Sequence, residues 1–167
     1  MQKPVEITFG MLASRNKRFV NFILDSIIVT IIQLAVSMGS NWIYDNYGQE
    51  GFLIGPPVLG NFKYTLLGLG LNIVYYGLFE SLNMRTAAKY VTNTMVVNRD
   101  GTQPDNARIL LRTLCRLIPF EAITFLGRPP IGFHDNLSKT LVVDIYEFEK
   151  AQRAAKMKDI NNNEEKR

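Results

Sequence analysis

Residues 17–38 read KRFVNFILDSIIVTIIQLAVSM. From Phe19 to Met38 this run carries one charge, Asp25, and the polar side chains after it are Ser26, Thr30, Gln33 and Ser37. A soluble core helix of this length would repeat a polar face every turn, whereas about 20 mostly apolar residues match the hydrocarbon thickness of a bilayer. The stretch therefore reads as a membrane span, about residues 19–38, that carries a carboxylate.

Upstream, residues 1–16 form an entry segment, and Arg15, Lys17 and Arg18 stand directly before the span. The apolar run is too long for a signal-peptide core and has no small-residue cleavage pattern, so the span is expected to be retained. Downstream, no Lys or Arg occurs from Gly39 to Phe62. Trp42, Tyr44 and Tyr47 there suit an aromatic belt, and Gly55-Pro56-Pro57 interrupts regular structure. A second apolar run, Tyr64–Leu82, contains Gly68, Gly70 and Gly77 and has Glu80 as its only charge. Four Lys or Arg precede the first span, none lies in residues 39–62, and Arg85, Lys89 and Arg99 follow the second. The positive-inside bias then puts the N-terminus and the chain after Leu82 in the cytoplasm, with the spans as a helical hairpin.

The whole-chain averages hide this layout. Mean hydropathy is zero because a charged second half offsets the apolar first half. The net charge of +4 divides into +3 over residues 1–18, −3 over 19–82 and +4 over 83–167. One cysteine, Cys115, and one histidine, His134, exclude a disulfide framework and a Cys/His metal cluster within one chain. Both are expected to be structural, and no metal or cofactor is implied. The cations cluster beside apolar segments with no aromatic-basic surface, which argues against nucleic acid.

Beyond the spans, Val91–Val97 (VTNTMVV) and Lys139–Tyr146 (KTLVVDIY) read as strands that pair in a small cytoplasmic sheet, with Asn98-Arg99-Asp100-Gly101 as a turn. Between them, residues 106–127 form an amphipathic segment. Arg108, Arg112 and Arg116 recur every four residues, opposite Leu110, Leu111, Leu114, Leu117 and Ile118. Pro119 ends the pattern, and Phe120–Leu126 is apolar apart from Glu121 and Thr124. Three arginines favour an interfacial or re-entrant third helix over a full span. Its arginine face reads either as solvated or as a contact for anionic lipid headgroups. Residues 146–167 form a charged cytoplasmic tail with a helical Glu149–Arg153 pair that frays at Asn161–Asn163. The fold class expected is an all-α membrane protein, a two-span hairpin plus this third helix, with a small β pairing.

Arg18, Asn21 and Asp25 fall within about 60° of one helical face, a polar stripe that enters the membrane. Asp25 lies about 9 Å in from Phe19 along the helix. On the second span Gly68, Asn72, Tyr76 and Glu80 follow a four-residue ridge that offers the stripe a partner. An unpaired carboxylate in such a place can carry a proton, and a paired one fixes helix packing. Both readings of Asp25 stand.

Several stretches in this order resemble the RDD family of small bacterial membrane proteins, named for one arginine and two aspartates. They are Arg18 before a span with Asp25 seven residues on, LFESLNMRTAAKYV, VVNRDG, ARILLRTLCRLIPF and HDNLSKTLVV. Matched by position, Arg18 falls on the arginine, Asp25 on the intramembrane aspartate and Asp135 on the second aspartate. The resemblance covers about residues 13–145, so residues 1–145 read as an RDD-like membrane domain. Where the family often has Gly-Arg-Thr-Pro-Gly-Lys, this chain has Met84-Arg85-Thr86-Ala87-Ala88-Lys89. The resemblance implies a helical domain in the bacterial cytoplasmic membrane and a transport role, with cation/proton exchange proposed for some members.

Two functions are carried forward. The first is a small oligomeric transporter in which Asp25 binds a proton or cation, Arg18 tunes its charge, and Asp135 sits at the cytoplasmic mouth, with Asn21, Asn72 and Glu80 in support. Two spans enclose no pathway, so a homo-oligomer would build it. The second is a non-transporting scaffold or accessory subunit of another membrane protein. No hydrolase, P-loop, metalloprotease or dinucleotide fingerprint occurs, so no enzyme is expected.

Overall fold

The computed structural model describes residues 6–48, 62–118 and 129–164, with Thr124 and Gly127. Gly55-Pro56-Pro57 lies outside the described residues, as does Phe120–Leu126 apart from Thr124. Two long helices come first, α1 (Arg15–Tyr47) and α2 (Phe62–Asn83), followed by α3 (Ala87–Thr92) and strand β1 (Thr94–Asn98). The chain continues through α4 (Asn106–Cys115), α5 (Phe133–Ser138), strand β2 (Thr140–Asp144) and α6 (Ile145–Glu164).

Helix α1 starts where Ser14 Oγ accepts the Lys17 N–H at 3.3 Å and ends at Gly48, whose φ of 63° admits the left-handed turn that closes the helix. It runs nine residues past Met38, so Trp42, Tyr44 and Tyr47 lie on its last turns rather than in a loop. Gly39 alone does not stop a helix, and no proline follows it before Gly48. Both α1 and α2 are long and apolar enough to cross a membrane, and most of their apolar stretches are not buried inside the fold. Ile31, Leu34, Met38, Val74 and Leu78 all face outward. A helix this apolar in water would turn such residues inward, so the exposure suits a lipid solvent. The helices meet where Gln33 Nε2 donates to Tyr64 O at 3.0 Å, over Gly68, where a Cβ would come within 3.0 Å of Gln33 Oε1. Gly70 and Gly77 face open space.

The strands pair antiparallel with Val96 opposite Val142, as their sequences lead one to expect. Their alternation gives the sheet two different faces. Val97, Leu141 and Val143 form one, closed by Phe148 of α6 and flanked by Ile7, Met11, Leu12, Met95 and Ile131. Because Phe148 is part of this core, packing continues past residue 145 into the segment read as a tail, and α6 continues through Asn161–Asn163 without fraying there. The Glu149–Arg153 pair is present at 3.4 Å. The other sheet face carries Thr94 and Thr140, and these turn toward the helices that bear the charges.

A buried charged layer and a separately held aspartate

Glu80, near the end of α2, is fully buried and meets three cations. Lys89 of α3 pairs with it directly, Arg112 Nε of α4 donates at 3.1 Å, and Arg116 Nη2 donates at 2.9 Å. Arg116 also places its guanidinium 4.2 Å from the ring centre of Tyr76, a cation–π contact. Asp135 of α5, equally buried, forms the second centre. It pairs with Arg18 of α1 and with Arg112, and accepts at 2.8 Å the N–H of Gly132, the N-cap residue of α5. Arg112 therefore bridges the two acids, and its Nη1 also reaches Thr140 Oγ1 at 2.8 Å. Arg18 Nη1 fastens to Pro130 O at 2.7 Å. One continuous set of ion pairs thus ties together α1, α5, α4, α2 and α3.

Burial in this layer is close to complete. The side chains of Arg18, Lys89 and Arg112 are at most 4% exposed, and Arg116 is 18% exposed. Desolvation of such charges is costly, so the layer stays formed because each cation in it faces a carboxylate. Burial lowers the Lys89 ammonium to about 8, opposed by Glu80. Burial acts to raise the Asp135 carboxyl, but Arg18, His134 and Arg112 outweigh it and hold the group well below its usual range. His134, buried beside Asp135 at 3.2 Å, is pushed below its ordinary value by desolvation.

Asp25 is held differently. Oδ1 accepts from Tyr75 Oη at 2.7 Å and from the Ala88 N–H at 3.3 Å, and Oδ2 accepts from Thr86 Oγ1 at 2.7 Å. Among the described residues it has no ion pair. One turn away, Asn21 Nδ2 donates to Thr94 Oγ1 at 3.0 Å and its Oδ1 accepts from Thr92 Oγ1 at 2.6 Å. The stripe of Arg18, Asn21 and Asp25 is therefore buried along its length, and each residue is fixed to a different part of the fold.

Other expected site residues go elsewhere. Arg18 pairs with Asp135 rather than tuning Asp25, so the two residues expected at separate places in the site meet each other. Asn72 bonds back to Gly68 O on its own helix at 2.8 Å and takes no part in the layer. Arg112 contradicts the headgroup assignment: it is 1% exposed and turned inward, because Glu80 and Asp135 supply counter-charges that water or headgroups would otherwise provide. Arg116 follows it inward, and Arg108 Nη1 bonds Asn98 Oδ1 at 3.0 Å. Lys89, Tyr75 and Thr86 belong to the site without having been singled out in sequence. Thr86 and Lys89 stand on the Thr and Lys of the Gly-Arg-Thr-Pro-Gly-Lys pattern set out above, a signal that could have found them, whereas nothing local marks Tyr75.

The described residues hold no group of three or more His, Cys, Asp or Glu placed to bind a metal. The chemistry of the site is charge compensation and hydrogen bonding, with Asp25 as the carboxylate free of a paired cation. In comparisons with known proteins, no curated protein and no solved structure matches the chain. The family model described as the RDD family matches residues 12–144, a stretch that takes in both long apolar helices and every member of the charged layer, and the chain belongs to that family.

Proposed function

We propose that this chain is an integral membrane scaffold or accessory subunit without catalytic activity of its own, working with further copies or another membrane protein. RDD membership and two long, outwardly apolar helices make it a membrane protein. We assign it to the bacterial cytoplasmic membrane as a multi-pass protein with both termini in the cytoplasm, on the distribution of Lys and Arg around α1 and α2. Cysteine labelling of intact cells at Asn46 and Asn93, in a Cys115→Ser background, tests that orientation. Labelling at 93 but not at 46 sinks it.

The observation that carries the scaffold reading is Arg112 lying between Glu80 and Asp135, with both acids already engaged by further cations. Charges committed in this way hold elements together and leave little freedom to load and release an ion. A second reading, cation/proton exchange by an oligomer, is supported by Asp25. Two of its three donors are hydroxyls, which accept as readily as they donate, so the pocket suits a protonated and an ionised carboxyl alike. The deciding experiment is sodium- or potassium-driven proton movement in proteoliposomes. Flux in the wild type that disappears in Asp25→Asn at equal reconstitution establishes exchange and overturns the scaffold reading; no flux in the wild type upholds it.

A further inference from the structure

Helices α4 and α5 turn charged and polar side chains inward and large apolar ones outward. On α4 Arg112 and Thr113 are buried together with Ile109 and Cys115, and Leu110, Leu111 and Leu114 point outward, as does Ile118 just beyond the helix. On α5 the inward residues are His134, Asp135 and Ser138, and Phe133 and Leu137 point outward. The outward apolar residues of the two helices are between 42% and 52% exposed. A helix at a water boundary has the opposite arrangement, because hydration favours charge outside and burial favours leucine inside. The arrangement on α4 and α5 suits an apolar environment outside them.

Continuity with α2 identifies that medium. Ile73, Val74, Gly77 and Leu78 of α2 and Leu110 of α4 line one mostly apolar groove, in which Ser81 and Asn106 are the polar members, so the apolar outer surface of α2 continues onto α4. Helix α4 in turn packs on α5. We infer that the outward faces of α4 and α5 are in contact with lipid acyl chains in one leaflet, and that the Glu80–Arg112–Asp135 layer is enclosed at that depth rather than exposed to water. The arginines remain inside because each has an acid there, and the leucines face the hydrocarbon. This inference rests on the membrane reading of α2.

Fluorescence quenching tests it, since Trp42 is the chain's single tryptophan. In a Trp42→Phe background, Leu111→Trp, Leu114→Trp and Leu137→Trp are each reconstituted into phosphatidylcholine vesicles with brominated acyl chains, alongside Leu69→Trp on the outer face of α2. All four positions are already exposed, so a larger side chain meets no core there. The expected result is a bromine-dependent loss of fluorescence at 111, 114 and 137 comparable to that at 69, with little loss to acrylamide. Quenching by acrylamide but not bromine would mean that water covers these faces. Quenching by neither would mean that a second copy or another subunit covers them; both outcomes overturn the inference. Absence of bromine quenching at position 69 would separately overturn the reading of α2 as lipid-facing, and the inference with it.

Discussion

Asp25 caps a helix that belongs to another part of the chain: its Oδ1 accepts the backbone N–H of Ala88, the second residue of α3, at 3.3 Å. Thr86, at the N-cap position of α3, does not cap the helix with its own hydroxyl and donates it to Asp25 instead. The aspartate of the first long helix thus supplies, through space, the acceptor that a capping residue usually supplies locally.

Removing that acceptor should therefore cost more than a surface cap. Asp25→Ala strands the Tyr75 hydroxyl, the Thr86 hydroxyl and the Ala88 N–H, at about 1–3 kcal/mol for each buried donor left unsatisfied. The variant should lose most of its accumulation in the membrane or unfold at a clearly lower temperature in detergent. Asp25→Asn keeps one acceptor oxygen and should fall between it and the wild type. Equal thermal stability of the alanine variant and the wild type would show that these bonds contribute nothing.

Glu80 should be the most sensitive position in the charged layer. Glu80→Gln leaves Lys89, Arg112 and Arg116 without their shared counter-charge, and breaking a buried ion pair typically costs about 3–5 kcal/mol. Adding Lys89→Met removes one of the stranded cations and should recover part of the loss. The check is a double-mutant cycle on detergent-phase unfolding; strictly additive losses for the two substitutions would refute the coupling.

The elements that could be read from sequence are those whose signal is local. The apolar runs of α1 and α2, the alternation in Thr94–Asn98 and Thr140–Asp144, and the stripe of Arg18, Asn21 and Asp25 each declare themselves within a few turns or one strand. The charged layer does not, because Arg112 stands 32 residues from Glu80 and 23 from Asp135, and only the tertiary fold joins them. The period of α4 identifies two faces but not which of them is buried. That choice depends on the acids waiting inside and on the medium outside, neither of which periodicity contains. The same limit hid the end of α1, where nothing between Gly39 and Tyr47 is strong enough to stop a helix already under way.

Met84 follows α2 with φ of 58°, in the left-handed region that costs an ordinary side chain about 1–2 kcal/mol. Its N–H closes the helix on Glu80 O at 3.0 Å, and its carbonyl accepts from Val96 N at 2.9 Å, so the backbone is held on both sides. A tight turn is present here although the chain has methionine where the family stretch often has glycine. Met84→Gly should stabilise the protein by about 0.5–1 kcal/mol, since relief of the strained backbone outweighs the added freedom of the unfolded chain. A rise of a few degrees in the unfolding midpoint is expected. A fall would mean that packing of the half-buried methionine side chain dominates.

His134 should make stability sensitive to mild acid. Burial holds its imidazole below the ordinary value of 6.5, even though Asp135 beside it acts in the opposite direction. Below that ordinary value the unfolded chain takes up a proton that the folded chain refuses until lower pH. The unfolded state therefore binds more protons across this window, so stability rises with pH there and is lost as pH falls. Above it both states are neutral at this residue and it contributes no slope. Asp135, held well below 3.8, adds its own acid sensitivity only beneath the carboxylate range. Because the chain has one histidine, thermal unfolding measured from about pH 7.5 to about 5.5 should show a falling midpoint in the wild type. His134→Asn should start lower, from lost packing, and lack that slope; an unchanged slope in the variant would remove His134 as its source.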